Sequence, residues 1–205
     1  YEILIGLVGS EMCIRDSCAA VNGLEVTTVT IEVNLNRGVM YHFTGLGDTA
    51  VREGRDRIAS ALQYNGYKFP HADITVNMAP ADLRKEGSSF DLPLAIAILA
   101  AAGSIVSEEL DRYMMVGELS LDGNLQPAKG VLPIAIRARA EKFKGLIVPK
   151  QNVREAAVVN NLEVYGMENI RDVIAFLTGK EHPEPTVIDT RREFYEQQYL
   201  SLIHI

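Results

Sequence analysis

The sequence predicts an α/β protein in which helices pack on a mixed β-sheet, an α+β two-layer arrangement. Three observations predict it. Apolar and polar residues alternate at Val29, Ile31, Val33 and Leu35, and again at Ile74, Val76 and Met78, which is the period of half-buried strands. Residues 92–102 are apolar all round, as a helix buried at the centre of a domain must be. The element order ββαβαβαβαβα opens with an adjacent strand pair and continues with helical crossovers, which calls for a sheet of mixed direction.

Taken in order, the first strand covers 26–35, with Asn36-Arg37-Gly38 supplying turn chemistry. Val39, Tyr41 and Phe43 alternate in a returning strand, so the pair is expected to form a β-hairpin. Gly45-Leu46-Gly47 breaks the strand, and Asp48 or Thr49 caps a helix running to Asn65 with Val51, Ile58, Ala61 and Leu62 on its buried stripe. Gly66 ends that helix. Ile74, Val76 and Met78 then form a third strand, closed by Ala79-Pro80. A polar loop, 81–89, leads into the buried helix, with Gly103 after it. Residues 113–121 are expected as one strand and 131–143 as a helix. A short buried strand at 146–148, a helix from Val153, a strand at 162–165 and a helix at 170–177 complete the pattern.

Bulk composition narrows the function. With 47% hydrophobic and 23% charged residues the chain is that of a globular protein with a full core. A formal net charge of −7 repels nucleic acid and anionic membrane, so any contact with DNA needs a local patch or another part of the protein. Cys13 and Cys18 form no disulfide framework and have no zinc-ligand spacing, which fits a reducing cytosol. The longest apolar run, 92–103, is shorter than the roughly 20 residues that span a bilayer. The apolar opening, Tyr1 to Val8, lacks a basic leader and a cleavage site. No membrane contact and a cytoplasmic location are expected.

Both ends are set aside. The chain opens on Tyr1 and is expected to be an open-ended fragment. Residues 4–17 resemble translated sequencing-adapter read-through, and 200–205 resemble the matching artefact. The expected organisation is therefore a non-native 1–17, a domain at 18–179, a Pro-containing linker at 180–199, and a non-native 200–205.

The most distinctive stretch is Asn77-Met78-Ala79-Pro80-Ala81-Asp82-Leu83-Arg84-Lys85-Glu86-Gly87-Ser88-Ser89-Phe90-Asp91-Leu92-Pro93. Its pattern, Asn-x-Ala-Pro-Ala-Asp-x-x-Lys-Glu-Gly-x-x-x-Asp-Leu-Pro, is similar to the hallmark of the amino-terminal domain of the YifB/ComM family of Mg-chelatase-like (ChlI-like) AAA+ ATPases. The resemblance continues through Gly54-Arg55-Asp56-Arg57-Ile58, through Val116 to Gly123, and through Pro127 to Pro133, so it runs from about Val21 to Gln198. Gly45-Leu46-Gly47 departs from the family's Gly-Leu-Pro, and the missing proline is expected to alter only the start of the first helix.

The resemblance implies the fold of the Lon protease proteolytic domain, whose nucleophile is a serine activated by a lysine. The Lon turn matches Lys85-Glu86-Gly87-Ser88-Ser89 and puts Ser89 at the nucleophile position. Alignment on Gly123 without gaps puts Leu132 where the base lysine belongs. A serine without an adjacent base stays a weak nucleophile, so no catalytic residue is expected; Lys129 is near enough in sequence to act as a shifted base. Ser88-x-x-Asp91 is also a helix-start signal, and helix capping is the expected role of the serines.

Five residues are candidates for interaction. Arg84, Lys85 and Glu86 either contact a neighbouring subunit or ATPase module or form a solvated loop. Asp91 either caps the buried helix or tethers the loop. Glu118 either meets a partner loop or is hydrogen-bonded within its strand. The arginines of the first helix pair off on their own face, Arg57 with Glu53 and Arg52 with Asp56. Arg137, Arg139, Lys142 and Lys144 scatter around a helix end, where cations suit the dipole. His42, His71 and His182 are single and have no expected partner. These lone histidines are no metal ligands, and there is no Gly-x-x-x-x-Gly-Lys-Ser/Thr to hydrolyse a nucleotide, so neither metal nor cofactor is expected in this chain.

For the parent protein the resemblance implies a ring-forming, hexameric ATPase with ATP and Mg2+ in a module beyond this chain. Its implied partners are its own AAA+ module, neighbouring subunits of the ring homo-oligomer, and DNA. The implied role is that of a helicase or remodeller in recombination and competence, with this domain as a non-catalytic accessory. The alternatives are a serine-dependent Lon-type peptidase with an unusual base and a stand-alone nucleic-acid-binding module.

Overall fold

The computed structural model describes residues 14–22 and 25–188. Its strands are β1 (Ile14–Asn22), β2 (Glu25–Asn36), β3 (Tyr41–Thr44), β4 (Asp73–Ala79), β5 (Tyr113–Met115), β6 (Glu118–Leu119), β7 (Leu125–Gln126), β8 (Gly145–Pro149) and β9 (Glu163–Met167). Seven of them form one sheet in the order β3-β4-β2-β1-β5-β8-β9, and β6 and β7 form a separate hairpin. The β1–β2 and β2–β4 pairs are antiparallel; β3–β4, β1–β5, β5–β8 and β8–β9 are parallel. The sheet is mixed, as the sequence predicts.

The expected hairpin of β2 with β3 does not form, because β4 lies between them. The reason is packing. The β2–β4 register sets Ile31 beside Met78, Val33 beside Val76 and Leu35 beside Ile74, so two apolar stripes coincide over a seven-residue ladder. Four-residue β3 offers less and takes the outer side of β4. The hairpin partner of β2 is β1, which begins at Ile14, inside the segment expected to be non-native. Residues 14–17 are therefore part of the sheet; residues 1–13, 23–24 and 189–205 lie outside the described residues, while residues 180–188 of the expected linker form no helix or strand. The single strand expected at 113–121 is split into β5 and β6 by Val116 and Gly117, whose N–H groups bond Ile147 O (3.1 Å) and Ser89 O (2.9 Å).

The helices are α1 (Thr49–Tyr64), α2 (Asp91–Ala101), α3 (Val131–Ala140), α4 (Val153–Ala157) and α5 (Ile170–Leu177). Because successive strand residues face opposite ways, β1 splits its side chains between two cores. Cys18 and Ala20 join the core under α1, α2 and α5, whereas Ala19 joins the core under α3 and α4. Helices thus cover both faces of the sheet around β1, a layer more than the two-layer expectation. Asp48 caps α1 as predicted, accepting from Val51 N at 2.9 Å, so the Gly47 departure leaves the start of this helix intact.

Helix α2 is buried from Asp91 to Ala100, and its one charged residue lies in its first turn. Asp91 accepts from Arg57 Nε (2.7 Å) and Nη2 (3.0 Å), and from Leu119 N (3.3 Å). One carboxylate so joins α1, α2 and β6. Burial pushes this carboxyl up to about 6, although the Arg57 guanidinium pulls it the other way. Gly54 makes room for it: a Cβ there would lie 2.6 Å from Asp91 Oδ1. Arg57 thus pairs across the fold and not with Glu53, and Arg52 donates to Gly47 O (3.2 Å) instead of pairing with Asp56. His42, expected without a partner, lies 3.3 Å from Asp73. Of the basic run, Arg137 pairs with Glu141 one turn on and Lys144 with Glu109, distant in sequence.

Asp16 is the exception within the core. It is 1% exposed, its Oδ2 has no hydrogen-bond partner, and burial holds its carboxyl well above the usual range. Among the described residues no helix is long and apolar enough to cross a membrane.

Three outcomes follow for stability. Asp16→Val should raise unfolding free energy by about 1–3 kcal/mol at pH 7 in urea melts. Because the native Asp16 pKa exceeds the unfolded one, the parent gains stability as pH falls towards 4, and the variant's advantage should shrink over that interval. Arg57→Leu should cost about 3 kcal/mol at pH 7 by leaving Asp91 uncompensated, and part of the loss should return at pH 5 as Asp91 takes a proton. Gly54→Ala should lower the melting temperature, although alanine is favoured over glycine in a helix by roughly 0.5–1 kcal/mol.

Candidate functional site

The 80–90 loop joins β4 to α2, and its anchor is a lysine. Lys85 is fully buried, and its Nζ donates to Met78 O (2.9 Å) and to Pro80 O. Its backbone is fixed as well, Lys85 N to Leu46 O (3.1 Å) and Asp48 N to Lys85 O (3.0 Å). Burial lowers the pKa of its ammonium. Lys85 is therefore a structural tether and not a surface contact, a correction to its candidacy for interaction. Asp48 adds a second tether: while one oxygen caps α1, Oδ2 accepts from Gly87 N at 3.0 Å.

Between the tethered loop, β6 and residues 127–130 lies a cleft of about 590 Å3. Its walls carry Glu86, Ser88, Ser89, Glu118 and Lys129. The 127–130 wall is clamped by Asn152, which accepts from Ala128 N and donates to Ala128 O, both at 2.9 Å. Gly130, with φ +72, turns that wall into α3.

The helix-capping role expected for the serines and for Asp91 does not hold. The N-cap of α2 is Phe90, with no side-chain cap bond. Ser88 Oγ donates instead to Glu118 Oε2, and Asp91 is committed to Arg57. Glu118 is thus occupied by the loop of its own chain. Arg84 and Glu86 remain at the surface, 73% and 58% exposed, and pair with each other at 2.9 Å.

The positions of the serine–lysine dyad separate. Ser89 lines the cleft, and its backbone O is fixed by Gly117 N. Leu132 does not line it: its N–H bonds Glu155 Oε1 (3.0 Å), and its side chain packs against the α3–α4 core. Lys129 lines the same cleft but is exposed, and among the described residues no hydrogen bond joins it to Ser89. A serine becomes a nucleophile when a base within hydrogen-bonding reach takes its proton, and a lysine serves when desolvated. Among the described residues no three His, Cys, Asp or Glu side chains converge as metal ligands do. Thr178-Gly179-Lys180 is the turned end of α5, with Lys180 N on Ala175 O at 2.8 Å, and makes no phosphate cradle.

Sequence reasoning did not identify Arg57, Asn152 or the second role of Asp48 as site residues. Asp48 and Asn152 stand just before helices and show only a capping signal, and Arg57 shows only its helical neighbours.

The profile of the family described as subunit ChlI of Mg-chelatase matches residues 31–152, more than half of the chain. The chain is 42% identical over 160 residues to the competence protein ComM of Haemophilus influenzae, which covers 78% of this chain and 31% of that protein. It is 40% identical over 168 residues to YifB of Escherichia coli, covering 80% of this chain and 33% of that protein. A more distant likeness, 27% over 139 residues, joins 65% of the chain to 17% of a Lon protease of Methanosarcina barkeri. The chain spans about a third of the length of the ComM and YifB relatives. On the length of the profile match and the order of its motifs, the chain belongs to the ChlI family of Mg-chelatase-like proteins.

Proposed function

We propose that this chain is the non-catalytic amino-terminal domain of a Mg-chelatase-like AAA+ ATPase of the ComM type. The observation that carries this reading is the fate of the two dyad positions: Ser89 lines a cleft where, among the described residues, no base is hydrogen-bonded to it, while half-buried Leu132 packs against the α3–α4 core. A Lon-like scaffold without its proton acceptor holds and orients other parts. The charged pair Arg84–Glu86, exposed at the tip of a rigidly tethered loop, is suited to contact an ATPase module or a neighbouring subunit of a ring.

For the parent we propose a cytoplasmic ring homo-oligomer, hexameric, that uses ATP to move or remodel DNA during recombination and competence. The family membership, the greater length of its relatives and the printed name of ComM support this reading. ATP and Mg2+ are assigned to a module outside this chain, whose residues include no phosphate-binding loop. DNA is assigned to the parent because the chain's net charge of −7 disfavours phosphate contacts.

One observation favours a second reading, a serine-dependent peptidase: Lys129 shares the cleft with Ser89. A fluorophosphonate probe separates the two. The accessory-domain reading predicts no labelling of Ser89 above that of a Ser89→Ala control. Stoichiometric labelling of Ser89 that disappears in Lys129→Ala would overturn it and establish the dyad.

A further inference from the structure

The two edges of the large sheet are finished differently. At β9, Thr186 N donates to Val164 O (2.8 Å), so the chain's own segment lies along that edge. At the other end β3 is, among the described residues, the terminal strand, with β4 as its neighbour. Met40 O accepts from Ile74 N (2.8 Å), so by strand alternation the backbone groups of Tyr41 and Phe43 point away from β4. An open edge of this kind is a template for strand addition. Val39 and Met40, at its start, are 79% and 59% exposed.

Beside this edge a groove of about 460 Å3 opens between α1 and residues 67–72. Arg55 stands on its helical wall over the ring of Tyr41, 5.4 Å from the centroid, and Lys68 and His71 stand on the facing wall. Among the described residues no Asp or Glu lines the groove, and no carboxylate pairs with Arg55, Lys68 or His71. This is a local inversion of charge in a chain with 27 acidic and 20 basic residues.

We propose that the β3 edge receives an extended acidic peptide segment of a partner protein as a further strand, its backbone pairing with Tyr41 and Phe43 and its carboxylates reaching Arg55 and Lys68. The open main-chain edge selects a peptide, because a nucleic acid has no ladder to offer it. The unpaired cations select acidic side chains, and strand periodicity selects their alternation. The site lies apart from the Ser89 cleft and stands whether or not that cleft is catalytic.

The test is fluorescence anisotropy of the full chain with three probes: a labelled alternating Val-Glu decapeptide, the same peptide N-methylated at alternate residues, and an oligo-dT. The plain decapeptide should bind saturably. Its affinity should fall by about tenfold or more in Arg55→Glu/Lys68→Glu, and by a similar factor on N-methylation. Melting temperature checks that the double variant is folded; if it is not, the N-methylated probe on the unaltered chain decides alone. Absence of saturable binding, equal affinity for plain and N-methylated peptides, or indifference of a folded double variant would each overturn the proposal. So would tighter binding of the oligo-dT, which would make the groove a nucleic-acid site.

Discussion

The candidate cleft depends on one buried contact, the bidentate pairing of Arg57 with Asp91. A carboxylate at the head of an otherwise apolar helix is costly to bury, and only a hydrogen-bonded cation makes its position tolerable. Meeting that need brings α1 against α2, requires Gly54 at the point of closest approach, and draws Leu119 N–H towards the same carboxylate. Ser88, Ser89 and Phe90 immediately precede Asp91, so the pair also sets where the loop meets β6. Lys85 and Asp48 then hold the other side of the loop.

The cleft is thus rigid in its frame and sparse in its chemistry. Its polar groups are largely spoken for within the chain: Ser88 by Glu118, Glu86 by Arg84, and the 127–130 wall by Asn152. Ser89 and Lys129 are the exceptions. On the accessory-domain reading, what separates this arrangement from a proteolytic one is narrow, a matter of where the side chain of Lys129, just before α3, points. On the proposed reading, the family keeps the scaffold for its shape and uses its tethered loop as a fixed surface for larger parts of the same protein.

Much of this was legible in the sequence because it is local. The alternation of β2 and β4, the all-apolar α2 and the Asp48 cap follow from periodicity and capping chemistry, which neighbouring residues decide. The pairing of β4 with both β2 and β3 was not legible, since turn residues at 36–38 suit a hairpin as well as a crossover, and the choice is made by apolar stripes forty residues apart. The motif at 77–93 contains residues that line the candidate cleft, yet the roles expected of its side chains differ from those they take. Ser88-x-x-Asp91 satisfies the local rule for a helix start, but each side chain found a stronger tertiary partner, Glu118 and Arg57. Lys85 lies among polar neighbours and looks solvated; only the fold shows that two carbonyls at the end of β4 take its ammonium inside.

The central claim concerns a distance between two atoms. A crystal structure of the chain at a resolution that orders the cleft side chains would measure Ser89 Oγ to Lys129 Nζ directly. The account predicts that they lie beyond hydrogen-bonding reach, with Leu132 packed against the α3–α4 core. A separation of about 3 Å, with Lys129 folded into the cleft and shielded from water, would contradict it.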